Sequence, residues 1–372
     1  MSSDAEVYLD WNATTPPLPE VLEAMHAVAL SAWGNPSSVH AAGRRARVHV
    51  EEAREELAGA LGRSARDVWF TSGGTEANNL ALSGAPALVT SRIEHPSVVR
   101  SAEGLAERGV AVHWLPVPPS GAIEPERVGE ALAGVTPGAV VAVMAANHET
   151  GVIQPIPRIA EVCRAHGALL HVDAVQAFGK LDRAWWQDAD SVALAAHKIR
   201  GPKGVGALVG RPGWAPRPVL RGGAQERGLR PGTLDAAALA GFRVAVRYAQ
   251  LGPERYASLA ALRDRFEHEL SAIALVNGEG AQRLPHVSNL SVQGFRGDEL
   301  VAALDLQGVR ISSGSACSAG TSEPSPVIAA MLGRGRAESA IRVSMGDETR
   351  AMDIERALHA FRRALRLQSS SS

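Results

Sequence analysis

The sequence predicts an α/β protein, with a large domain built on a mainly parallel central sheet flanked by helices and a smaller α+β domain toward the C-terminus. Three observations predict it. Between about residues 65 and 210, short apolar runs alternate with longer amphipathic stretches, the pattern of strands buried on both faces and joined by crossover helices. After about residue 235 the alternation gives way to long helical patterns and two isolated strand patterns. The chain has 372 residues, enough for one large core and one smaller one.

In chain order, DVWFTS, ALVTS, VAVHWLPV, AVVAVMAA, ALLHVDAV, SVALAA and GVGALVG read as buried strands. TEANNLALSG, PSVVRSAEGLAERG, PERVGEALAG and PIPRIAEVCRAHG read as the helices between them. A helical region then runs from AALAGFRVAVRYAQ through RYASLAALRDRFEHELSAI. It is followed by strands VSNLSVQG and IRVSMG and a final amphipathic helix that carries Arg356, Arg362, Arg363 and Arg366. The domain boundary falls near residue 250. In a sheet of this kind, ligands collect at the carboxyl ends of the strands.

Composition excludes several classes. Charged residues make up 21%, hydrophobic residues 45%, and the formal net charge is -1, so no basic stripe points to nucleic acid. No apolar stretch approaches the roughly 20 residues of a membrane span. The start, MSSDAEVYLDWNATTPP, lacks the apolar core of a secretory signal. Two distant cysteines do not make a disulfide framework; together these features lead us to expect a reducing cytoplasm. The only lysines are Lys180, Lys198 and Lys203, and every other basic residue is arginine. Arginine replaces a solvated lysine at little cost but cannot attack a carbonyl as an amine does.

SGGTEANN, residues 72 to 79, follows a strand and opens a helix. Small residues there let backbone N–H groups reach a phosphate at a helix N-terminus. Alone, the segment reads equally as a Gly-rich turn with a Thr cap. HVDAVQ puts Asp173 and Gln176 just past a strand, and SVALAA runs into His197 and Lys198. The spacing suits a helix and a return strand, so acid and amine can meet at one end of the sheet. Each has a bland reading as a solvated charge. Taken together, an anion cup, a strand-end acid and a strand-end amine describe a site for pyridoxal phosphate. Cys317 lies among turn-forming residues in SSGSACSAGTSEPSP, whereas Cys163, in EVCRAHG, reads as a buried small hydrophobe.

LDWNATTPP, GNPSSVHAAGR, FTSGGTEANN, EHPSV, HVDAVQ, AHKIRGPKGVGAL, ERGLRPGT, SSGSACS and IRVSMG occur in the order found in cysteine desulfurases. The chain resembles that family, within the class V aminotransferase superfamily of fold-type-I pyridoxal-phosphate enzymes. The resemblance implies a large domain over residues 15–250 and a small one over 1–14 and 251–372 carrying the cysteine loop. It implies a cytoplasmic homodimer that converts L-cysteine to L-alanine. The sulfur goes to Cys317 as a persulfide, for an acceptor protein in iron–sulfur assembly or in tRNA or cofactor thiolation.

By the same resemblance, Lys198 attaches the cofactor and moves the substrate α-proton. Asp173 pairs with the ring nitrogen, Gln176 meets the phenolic oxygen, and His95 stacks on the ring and serves the thiol as acid or base. Gly74, Thr75 and His197 hold the phosphate, with Thr233 reaching in from the partner subunit. Arg342 binds the substrate carboxylate, and Asn147 is assigned beside it; no metal is implied. Two positions depart from the family pattern. His148 stands where Asn is usual, and its imidazole is assigned the same contact with the ring oxygen. Ala195 stands where many relatives have a phosphate-binding serine, a loss of about 0.5–1.5 kcal/mol. Two other readings accompany this one: a selenocysteine lyase or other class V enzyme, and a non-catalytic dimeric scaffold.

Overall fold

The computed structural model describes residues 6–313 and 323–369, with side chains to 365. A short strand β1 (Val7–Tyr8) and helices α1 (Pro19–Ser31) and α2 (Ala41–Leu61) come first. The strand–helix alternation then supplies β2 (Val68–Thr71), α3 (Gly74–Leu82), β3 (Ala87–Ser91), α4 (Pro96–Glu107), β4 (Ala111–Leu115), α5 (Pro125–Leu132), β5 (Val140–Met144), α6 (Ile156–Ala165), β6 (Leu169–Asp173), β7 (Ser191–Ala195) and β8 (Gly206–Gly210). Helix α7 (Ala236–Gln250) returns to pack on α1 and α2.

Strands β2 to β8 form one seven-stranded sheet in the order β2-β8-β7-β6-β5-β3-β4. Only β8 runs against the others. Its link from β7 is a short 3-10 turn, Ala196–Lys198, and a loop, too short for a parallel crossover. Alternate residues divide the strands between two cores. Val68, Phe70, Val141, Val143, Leu170, Val172, Val192 and Leu194 join α2, α5, α6 and α7. Trp69, Leu88, Ala142, Ala193 and Leu208 meet α3 and α4 on the opposite face. By the same period of two, His171, Asp173 and Ser191 project toward α3.

The helical region expected as one run from residue 237 is broken into three helices. Pro253 starts a new helix, Gly252–Ala257, where its missing N–H costs nothing. A Cβ on Gly252 would lie 1.8 Å from the carbonyl oxygen of Gly179, so the chain crosses another backbone there. A further helix, Ala260–Leu270, follows.

Strands β9 (Ala274–Val276), β10 (Val287–Val292) and β12 (Ala340–Ser344) form an antiparallel sheet with β10 central, while β1 pairs with β11 (Val309–Arg310). Leu9, Phe266, Leu290, Leu300, Ile341, Val343 and Phe361 belong to a second apolar core beneath these strands. Among the described residues no helix is long and apolar enough to cross a membrane.

Candidate active site

The carboxyl ends of β2, β3, β5, β6 and β7 lie level, because Asp173 pairs with both Met144 and Ala193, and Thr71 and Ala195 both pair with Gly206. The segments leaving these ends carry most of the residues singled out from the sequence. Charges at Asp173 and Lys198 both act on the His95 ring. Those at Lys198 and Arg342 act on His148. The two imidazoles meet edge to face with centroids 5.4 Å apart.

Asp173 is buried; its Oδ1 accepts from Val175 N–H at 3.0 Å and its Oδ2 from Asn78 Nδ2 at 2.7 Å. Lys198 Nζ donates to the carbonyls of Asn12 and Ala13, at 2.5 and 2.7 Å. Gln176 Nε2 donates to the same Asn12 carbonyl at 2.9 Å, so the segment after β1 forms one wall. His197 is tied to Thr14 by Nδ1 at 3.1 Å. Burial, then the neighbouring lysines, pushes its pKa down to about 4, which leaves a neutral ring. Lys180 is buried behind the turn, donating to Lys198 O at 3.3 Å, and burial followed by the charge on Lys198 pushes it down to about 7.

The residues fit pyridoxal phosphate on three counts. Helix α3 starts at Gly73 without a side-chain cap, which leaves its first-turn amides to an anion. Gly73 has φ 155° with open space where a Cβ would stand, a conformation reserved for glycine. Gly74 packs so close that a Cβ would lie 2.6 Å from Val175 and 3.8 Å from Ala195, so the alanine at 195 does border this cup. Finally, buried His148 Nδ1 and Arg342 Nε have no hydrogen-bond partner among the described residues. Orphaned buried donors and acceptors mark a place where a polar ligand belongs.

Arg342 lies on β12, with Nη2 on Asp10 Oδ1 at 2.6 Å and Nη1 on His148 O at 3.0 Å. Asn147 is not brought to the site. It is fully buried, its Nδ2 bonds Ile93 O, and its Oδ1 accepts from Glu149 and Thr150 N–H, so it shapes the turn that presents His148. Thr75 is exposed on α3, and Thr233 is exposed ahead of α7. Cys317 lies outside the described residues. Cys163 is buried in α6, and burial pushes its thiol up to about 12.

Sequence reasoning missed Asn12, Asn78, Glu94 and Glu149. Asn12, Asn78 and Glu94 sit inside motifs already noted and Glu149 follows His148, so position beside a residue already singled out was the available signal. Glu149 is buried, and its carboxyl, pushed up to about 7 chiefly by burial, accepts from Ser325 Oγ. Ser325 also caps the helix Pro326–Leu332. Ser312, before the undescribed segment, exchanges backbone hydrogen bonds with Arg342.

Glu94 is buried against Ser91 Oγ at 3.0 Å and Met144 N–H at 2.7 Å. Burial, with the charge on Asp173 adding to it, pushes its carboxyl up to about 8 from 4.5. The folded protein therefore holds a proton that the unfolded chain releases between those values. The stabilisation that this gives is complete below pH 4.5 and disappears as pH rises through 8. Glu94→Gln mimics the protonated acid. Urea denaturation should show the parent losing stability relative to this variant by up to about 1.4 kcal/mol per pH unit across that window. Parallel pH profiles would remove the assignment.

Comparison with known proteins covers nearly the whole chain. The family model for class V aminotransferases matches residues 7–357. A cysteine desulfurase of Cereibacter sphaeroides is 41% identical over 368 residues, 95% of this chain and 94% of the relative. The cysteine desulfurase IscS of Dictyoglomus turgidum is 36% identical over 97% of this chain and 94% of its own length. An X-ray structure of a NifS-like protein from Rickettsia africae superposes with a TM-score of 0.88 at 30% identity, covering 97% of this chain and 99% of that one.

Proposed function

Because this chain belongs to the class V aminotransferase family, and within it to the cysteine desulfurases, we propose that it converts L-cysteine to L-alanine and takes the sulfur onto Cys317 as a persulfide. The observation that carries the reading is the convergence of Asp173, Lys198, His95 and Arg342 at one end of the sheet, beside an uncapped helix N-terminus. Gly74, Thr75 and His197 would hold the phosphate of pyridoxal phosphate, Asp173 its ring nitrogen, and Gln176 and His148 its phenolic oxygen. When bound, this group supplies the electron sink that lets the substrate α-proton leave and the Cβ–S bond break.

Lys198, the amine that would attach the cofactor, is released when substrate binds and receives the α-proton, with the Asn12 and Ala13 carbonyls at hand to hold it. Arg342 fixes the substrate carboxylate, with Asp10 orienting the guanidinium. His95 attends the substrate thiol; burial keeps its pKa below the ordinary histidine range, so the ring is neutral and presents a donor N–H rather than a positive charge. The Cys317 thiolate bonds to the substrate sulfur as the Cβ–S bond breaks; the proton of the substrate thiol ends at Cβ, and Lys198 returns the α-proton to give alanine.

Our reading extends to a cytoplasmic homodimer in which the partner subunit's Thr233 completes the phosphate site. Large exposed apolar side chains support it: Leu30, Trp33 and Val39 around the α1–α2 turn, and Leu220 on the segment leading to Thr233. The division near residue 250 is supported by the second apolar core, which draws only on Val7, Leu9 and residues from Tyr256 onward, although Leu284, Val287, Val327, Ile328 and Ala340 join the first core and tie the two parts together. The persulfide would pass to an acceptor protein, an iron–sulfur scaffold or a thiolation enzyme.

Mass spectrometry after incubation with cysteine should find one added sulfur on Cys317, matched by the alanine released. Cys317→Ala should retain bound cofactor and release alanine at least about 100-fold more slowly, as expected when a nucleophile is removed. Alanine and persulfide formed by that variant at the parent rate would defeat the proposal. Running selenocysteine in parallel separates a selenocysteine lyase, which would turn over without Cys317.

A further inference from the structure

Beneath the site, between the sheet and α3, runs a buried chain of polar side chains that the reaction does not use directly. Ser191 Oγ lies 2.9 Å from His171 Nδ1, and His171 Nε2 lies 3.0 Å from Asn78 Oδ1. Asn78 Nδ2 reaches Asp173 Oδ2 at 2.7 Å and Ser97 Oγ at 2.8 Å. Ser97 Oγ in turn lies 2.8 Å from His95 Nδ1, which also accepts from Ser97 N–H at 3.1 Å. Asn78, His171 and Ser191 are each at most 2% exposed.

Donor and acceptor roles along this chain are forced. A carboxylate only accepts, so the Asn78 amide nitrogen must face Asp173, and its oxygen must face His171. His171 therefore donates from Nε2 and accepts from the Ser191 hydroxyl at Nδ1. At the other end a backbone N–H can only donate, so His95 Nδ1 is an acceptor and its proton sits on Nε2. The two protons of one amide nitrogen thus serve the two sides of the cofactor site. Burial pushes His171 down to about 4, so its proton pattern does not change near neutral pH.

These positions lie in an apolar layer, among Ala77, Leu80, Ala81 and Ala193. Polar groups there cost stability unless fully paired, and hydrophobic residues would fill the layer at less cost. What the chain provides in return is at its ends. We propose that Asn78, backed by His171 and Ser191, is a positioning residue that straps the Asp173 carboxylate to the Ser97 hydroxyl on the His95 imidazole, fixing the direction of the carboxylate and the orientation of the ring. The proposal rests on the reading of Asp173 as the ring-nitrogen partner. Asn78, His171 and Ser191 do not touch the substrate; all three act through the groups they hold.

The test uses the full-length protein labelled with 15N-histidine, with and without pyridoxal phosphate. It measures the ring-nitrogen shifts of His95 and His171 and the cofactor dissociation constant. In the parent both rings carry the proton on Nε2. Asn78→Ala should raise the dissociation constant about tenfold, the size of one lost hydrogen bond to a charged group, and move the His95 signals. Ser97→Ala should move the His95 signals alone. His171→Gln keeps an N–H near Nε2 and should hold parent values, whereas His171→Leu should match Asn78→Ala in affinity. If glutamine and leucine at 171 behave alike, or if Asn78→Ala leaves the His95 signals unmoved, the strap is overturned. A parent that takes up no pyridoxal phosphate would sink the reading of the site, while the apoprotein shifts would still decide the strap.

Discussion

Lys198→Ala will lower alanine formation from cysteine by about 10⁴-fold, the upper range for removing a positioned acid–base group. The effect is large because no other amine can take over. Lys180 is buried behind the same turn with its Nζ on the Lys198 carbonyl, and Lys203 is exposed. The Asn12 and Ala13 carbonyls that hold the amine cannot themselves accept the α-proton at neutral pH. Circular dichroism should match the parent, since the side chain is only half-buried. Alanine release above about 1% of the parent rate would show that another group carries the proton.

Asp173→Asn is the second large effect, a rate loss of about 10²–10³-fold, as for removal of a preorganised electrostatic group. The carboxylate oxygens accept from two N–H donors, Val175 N and Asn78 Nδ2. An amide offers one oxygen, so one of these donors must face an NH2 group. The side chain turns, and the charge we propose to face the ring nitrogen is lost with it. The bound-cofactor absorbance should shift and the dissociation constant rise, while substrate KM changes little. A variant with parent turnover would place the electron sink's partner elsewhere.

Much of the fold could be read from the sequence because the strands are buried on both faces. Runs such as VVAVM and SVALA have no polar alternation, and only a covered sheet explains that. The direction of β8 was not read, since an apolar run looks the same both ways; the short link from Ala195 to Gly206 was the clue. Helices α1 and α2 lie outside the alternation that identified the sheet. At the site, the strand-end acid and amine were legible because each ends an apolar run. The choice between Asn147 and His148 was not, because it depends on which residue of a tight turn faces inward. Asn78 and His171 stayed hidden for a related reason: their partners come from different elements, and neither carries a charge.

The anchors at Ser312 and Ser325 set a limit on where sulfur can travel. Cys317 is five residues from the first and eight from the second, and a fully extended chain spans at most about 3.6 Å per residue. The Cα of Cys317, the proposed sulfur carrier, therefore lies within about 18 Å of the Cα of Ser312, which pairs with Arg342. Anything that collects the cargo must bring its own reactive atom inside that radius extended by the reach of the cysteine side chain and its added sulfur, and lengthening the leash on the Ser312 side would widen the range of collectors.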